Sequence, residues 1–96
     1  MNSYFVVEPC VTAGGFEIKF KDKDLDLKKA ANALTRIGEV IGESQIVMLV
    51  KVDHYSLSVY ASGKILVKSK QEIKAKDVTE LANRLTKLLE KESALL

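Results

Sequence analysis

The sharpest pattern in the chain lies between Phe16 and Lys21. Phe16, Ile18 and Phe20 fall on one side, and Glu17, Lys19 and Lys21 on the other. That period of two predicts a strand with one covered face. Before it, Ser3–Val7 is apolar and β-prone, an edge strand or an N-terminal arm that Pro9 should stop. After it, Asp22-Lys23-Asp24 reads as a turn, and Asp24 or Asp26 as a helix N-cap. Leu27, Ala31, Leu34 and Ile37 recur at helical spacing. Gly38 then offers a left-handed C-terminus. Residues 39–42 look like a short connector. Gln45–Val52 is almost continuously apolar, which predicts a central strand with both faces largely covered.

The second half is a meander. Asp53-His54 predicts a tight hairpin. Tyr55, Leu57 and Val59 alternate with Ser56, Ser58 and Tyr60. Ser62-Gly63 predicts a second hairpin, with glycine in the left-handed region. Ile65 and Val67 alternate with Leu66 and Lys68. From roughly Ala75 the period changes, and Val78, Leu81, Ala82, Leu85, Leu88 and Leu89 form a helical stripe. Thr79, Glu80, Asn83, Arg84, Lys87 and Lys91 form its wet face. Neither helix is long enough to persist alone in water. The fold class is therefore α+β: an antiparallel curved sheet of four to six strands with two helices packed on one face. Residues 1–96 form a single domain, with 1–14 as strand or arm and 15–92 as the body.

Composition narrows the classes. Apolar residues make up 47% of 96 residues and charged residues 29%, with 15 basic and 13 acidic side chains and a net charge of +2. This is a globular balance, enough for one core. All but Arg36 and Arg84 of the basic residues are lysine. Lysine acts as a point charge without the planar fork that reads bases, so any nucleic-acid contact is expected at the backbone. The one cysteine, Cys10, permits no disulfide within the chain and is expected as a structural thiol in a reducing, cytoplasmic setting. No apolar run approaches the ~20 residues that span a bilayer, and the N-terminus lacks the positive start of a secretory signal. No membrane partner is expected.

Two tracts carry a resemblance. Asp24-Leu25-Asp26-Leu27-Lys28 resembles the leucine-aspartate-leucine entry to the first helix in a repeat of the TATA-box-binding protein. Val59-Tyr60-Ala61-Ser62-Gly63-Lys64-Ile65-Leu66-Val67 resembles the hairpin in which a phenylalanine precedes serine-serine-glycine-lysine. The resemblance spans roughly Gly15–Leu89 and implies a half-saddle: one repeat where the family has two. Tyr60-Ala61-Ser62-Gly63-Lys64-Ile65-Leu66 is also similar to the small N-terminal domain of type-3 ribonuclease H, which helps bind the hybrid substrate. The catalytic domain of those enzymes has no counterpart here. The family wedges aromatic side chains between base steps. Tyr60 stands where one such phenylalanine stands, but the second position falls near Glu43 or Ser44, neither of which can wedge. The family's minor-groove asparagine falls near Gly14. The resemblance thus implies a TATA-like fold without TATA reading.

Catalytic chemistry is sparse. His54 is the only histidine and sits in a predicted turn next to Asp53, without a nucleophile in evidence. Asp22, Asp24 and Asp26 alternate like a calcium loop, but Leu27 and Ala33 stand where its glycine and glutamate belong. Gly14-Gly15 lacks the Lys-Ser/Thr of a phosphate loop. No enzyme, metal or cofactor is expected.

The remaining candidate is the face the helices leave open. It should present Glu17, Lys19, Lys21, Ser56, Ser58, Tyr60, Leu66 and Lys68, plus one side of the Gln45–Val52 strand, either Val47, Leu49 and Lys51 or the alternate set. From Lys64 to Lys76, Lys64, Lys68, Lys70, Lys74 and Lys76 oppose only Glu72. That excess is either a phosphate-facing rim or a set of lysines that protects an edge strand from aggregation. The expected function is a non-enzymatic binding module that meets a nucleic-acid backbone through Lys19, Lys51, Ser58, Tyr60, Lys64, Leu66, Lys68 and Lys70. The alternative is a protein-interaction or self-assembly module, a homodimer without a nucleic-acid role. Its apolar patch would be Val47, Leu49, Tyr60 and Leu66. A sister copy and the N-terminal segment would compete for the same sheet edge.

Overall fold

The computed structural model describes residues 5–10, 15–21 and 23–96. Six strands and two helices follow the order β1 (Phe5–Cys10), β2 (Gly15–Phe20), α1 (Leu27–Leu34), β3 (Glu39–Glu43), β4 (Val47–Val52), β5 (Tyr55–Tyr60), β6 (Lys64–Ser69) and α2 (Ala75–Lys91). The sheet is antiparallel, with strand order β1-β2-β6-β5-β4-β3. The helices cover one face. Ile18, Met48, Val50, Val52, Leu57, Val59, Ile65 and Val67 point into it and are buried against Val78, Leu81, Ala82, Leu85 and Leu89 of α2.

The local chemistry explains the elements. Asp26 is the N-cap of α1, and its carboxylate accepts from the Lys28 and Lys29 backbone N–H groups at 3.1 and 3.2 Å. The buried residues of α1 are Leu27, Ala30, Ala33 and Leu34. Ala31 and Ile37 are only partly buried. Leu34, Ala30 and Ala33 are fully buried, and Leu27 nearly so. At α2, the Asp77 carboxylate accepts the Lys74 backbone N–H at 3.4 Å. Thr86 is buried in the apolar face of α2, its hydroxyl donating to the Ala82 carbonyl at 2.6 Å. That bond satisfies a polar group that a hydrophobic pattern does not reveal.

Four sequence expectations change. Pro9 does not stop the first strand, because β1 runs to Cys10 with Pro9 opposite Phe16. It sits on an edge strand, where a missing N–H is tolerated. Gly38 is not left-handed, and α1 ends earlier, at Leu34 with Thr35 as C-cap. Glycine is needed there because a Cβ would run into the Lys51 carbonyl oxygen of β4. The 39–42 connector is edge strand β3, its alternation hidden by a bulge between Val40 and Gly42. Finally, β4 has one covered face, not two. Leu49 is 46% exposed and Ile46, in the preceding turn, 71% exposed. The Asp24-or-Asp26 cap, the 53–54 hairpin and the glycine hairpin stand as expected, with Gly63 at φ 94°.

The chain ends close to where α1 begins. The Asp26 N–H donates to the Ala94 carbonyl and the Leu96 N–H to the Asp24 carbonyl, both at 2.8–2.9 Å, as Leu25 and Leu95 bridge antiparallel. Arg36 reaches Glu92 at 2.7 Å beside this junction. No helix among the described residues is long and apolar enough to cross a membrane. The predicted positions Ser3, Gly14 and Asp22, and the Cys10 thiol, lie outside the described residues.

Candidate functional site

The register sorts the open face into three rows across the strands. The first is Glu39, Lys51, Ser56 and Lys68. The second is Gly42, Leu49, Ser58, Leu66, Glu17 and Glu8. The third is Val47, Tyr60, Lys64, Lys19 and Val6. Neighbouring rows are two residues apart along a strand, about 7 Å, so the outer rows are roughly 13 Å apart. Of the predicted residues, Lys19, Lys51, Ser58, Tyr60, Lys64, Leu66 and Lys68 share this face. Lys70 lies just beyond the end of β6.

The lysine cluster of the sequence is thereby split. Lys64 and Lys68 stand at opposite ends of β6, and Lys74 and Lys76 belong to the start of α2. β6 also lies inside the sheet, between β2 and β5. Its lysines therefore cannot be serving as edge protection.

The two ends of the face differ in electrostatics. In the third row, Lys64 lies 3.7 Å from the Glu17 carboxylate and 5.0 Å from the centre of the Tyr60 ring. In the first row, Lys51 and Lys68 flank the Ser56 hydroxyl. A cleft of about 420 Å³ opens there, lined by Lys51, His54, Ser56, Lys68, Lys70 and Gln71 among others. None of these three lysines has a salt-bridge partner among the described residues. Asp53 also borders the cleft, but its carboxylate meets the Arg84 guanidinium at 3.3 Å. The Ser69 hydroxyl accepts the Gln71 backbone N–H at 3.1 Å, which shapes the loop leaving β6.

His54 is exposed in the β4–β5 turn and packs its ring on Tyr55, centroids 4.2 Å apart. The adjacent Asp53 is turned to Arg84, so the pair forms no dyad. On the far side of this hairpin lies a second cleft of about 290 Å³, bordered by Asp53, Asp77, Glu80 and Arg84. Burial of Tyr55 pushes its hydroxyl pKa up from the usual value near 10, and the charges of Asp77, Asp53 and Glu80 add to the effect. A third cleft of about 470 Å³ beside the start of α1 is lined mainly by Leu25, Leu27 and Ala61 with Lys28, Ser44 and Gln45. Among the described residues, no group of three or more His, Cys, Asp or Glu side chains is placed to hold a metal ion.

Sequence reasoning placed the lysines on the correct face but missed the cleft itself, including His54, Ser69 and Gln71 in its lining. Forming it takes the neighbouring positions of β4, β5 and β6, and strand order carries no mark in a hydrophobic pattern. Of the two candidates for the free sheet edge, the N-terminal segment takes it, as β1 paired with β2. That strand occupies the edge where a sister copy would have docked, and it adds Glu8 beside Glu17 to the open face. Comparisons with family models, curated proteins and solved structures found no match.

Proposed function

We propose that the chain is a non-enzymatic binding module that holds a nucleic-acid sugar–phosphate backbone on its open sheet face. The observation that carries this reading is the gathering of Lys51, Lys68 and Lys70 around one cleft without salt bridges among the described residues, Glu39 opposite Lys51 being the one carboxylate in their row. Unpaired ammonium groups on a rigid sheet gain from displacing the counterions of a polyphosphate. Leu49, Ser58 and Leu66 form a neutral floor between the two lysine-bearing rows. Tyr60 offers a half-exposed ring for a sugar or base. The motif resemblance to a TATA-box-binding-protein repeat supports the same reading, with the backbone rather than the base sequence as the contact.

Fluorescence anisotropy with duplex DNA, duplex RNA, hybrid and single strands at ~50 mM salt, where phosphate contacts are strongest, tests it. Binding that weakens steeply with added salt supports the reading. Absence of binding to all four probes rejects it. One observation favours a second reading, self-assembly: Ile41 and Ile46 are 59% and 71% exposed at the β3–β4 corner, near Leu49. A dimer in sedimentation that Ile46→Ser abolishes would favour that alternative.

A further inference from the structure

We propose that the cleft between the β4–β5 hairpin and the loop after β6 is a seat for a phosphate monoester, the terminal phosphate of a nucleic-acid strand. The inference rests on the backbone-binding reading and adds to it which part of the strand lies where.

Charge is the first argument. Lys51, Lys68 and Lys70 line the cleft. The one carboxylate in its lining, Asp53, is compensated by Arg84 at 3.3 Å. An internal phosphodiester brings a single negative charge. A terminal phosphate brings about 1.5 to 2 and three strong acceptor oxygens. The monoester matches the cluster better than any single internal phosphodiester does.

Position is the second. A strand laid from the Tyr60–Lys64 row toward the Lys51–Lys68 row crosses roughly 13 Å of sheet before it reaches the cleft. The hairpin residues Asp53 and His54 form a common wall with the next cleft, which holds Asp77 and Glu80. A backbone continuing over that wall would bring its next phosphate against carboxylates, so the favourable path ends before it. Residues that carry donors for the extra oxygens border the cleft: Ser56, His54 and Gln71. The bond from the Gln71 N–H to Ser69 holds that loop in shape without occupying the lysines.

The test uses one single-stranded oligonucleotide with an internal label and three end chemistries: 5′-phosphate, 3′-phosphate and hydroxyl at both ends. One phosphorylated form should bind ~10-fold tighter than the hydroxyl form, the scale of a charge-assisted contact. The Lys68→Gln/Lys70→Gln variant should weaken binding of all three forms and abolish the difference between the phosphorylated and hydroxyl ends. Equal affinity for all three ends overturns the end-seat inference and leaves backbone binding standing. Absence of binding to all three overturns the end-seat inference, and backbone binding is then decided by the duplex and hybrid probes. A mononucleotide monophosphate that competes as tightly as the phosphorylated strand would assign the cleft to a free phosphate monoester, and so overturns the strand-end inference.

Discussion

The two ends of the open sheet face are built from the same residue types and behave differently. At the end by the β5–β6 turn, Lys64 is held between Glu17 and the Tyr60 ring, and Glu8 lies opposite Glu17. At the hairpin end, Lys51, Lys68 and Lys70 surround a cleft, and the nearby Asp53 is occupied by Arg84. A lysine that already has a carboxylate beside it must give up that attraction to meet a phosphate, whereas a solvated one gives up only counterions. The difference shows that availability, rather than local lysine density, marks where an anion can sit.

The largest disruption strikes both ends together. Leu57 is buried in β5, the strand that carries Ser56 of the first row and Tyr60 of the third. Leu57→Ala should destabilise the fold by about 2–5 kcal/mol in chemical denaturation. A loss under ~1 kcal/mol would mean that the sheet is not anchored as described. Next is a change confined to one end. Lys51→Gln/Lys68→Gln/Lys70→Gln should cost roughly 100-fold in nucleic-acid affinity at ~50 mM salt, and Lys19→Gln/Lys64→Gln only about 3-fold. Equal losses would erase the distinction between the ends.

A smaller change should move the tied end toward the free one. Glu17→Gln releases Lys64 from its carboxylate and should raise affinity by about 3-fold. Stability should shift by less than ~1 kcal/mol, because the pair is solvent-accessible. Unchanged binding would show that the pairing does not restrain Lys64. The smallest effect is on the acidic side of the hairpin. The Tyr55 pKa is raised in the fold, first by burial and then by Asp77, Asp53 and Glu80. Above the unfolded value, near 10, the unfolded chain releases this proton while the folded chain still holds it. Its contribution is therefore complete below about pH 10 and lost as pH rises through the folded value. Denaturation curves at pH 9 and 11 should show a decline that Tyr55→Phe reduces. An identical decline in both proteins would remove Tyr55 as its source.

Much of this architecture could be read from alternation alone. β2, β5 and β6 have a polar side chain at almost every second position, which fixes both the strand and its covered face. β4 was misjudged because Val47, Leu49 and Ile46 are apolar whether or not a layer lies over them. β3 was invisible because Val40 is its one well-packed apolar residue and the bulge breaks the period. The open face was legible as a set of residues. Its division into a tied end and a free end was not, because that depends on β2 pairing with β6 to bring Glu17 beside Lys64 and on Arg84 of α2 reaching Asp53. Both are contacts across the fold that leave no trace in local sequence.

The most direct test of the free hairpin end is the salt dependence of nucleic-acid affinity. For the wild-type chain on duplex DNA, log affinity against log salt should fall with a slope of about −3, as expected for roughly three phosphates neutralised. In Lys51→Gln/Lys68→Gln/Lys70→Gln the slope should shrink to about −1 or less. An unchanged slope in that variant would contradict the account and move the phosphate contacts elsewhere on the molecule.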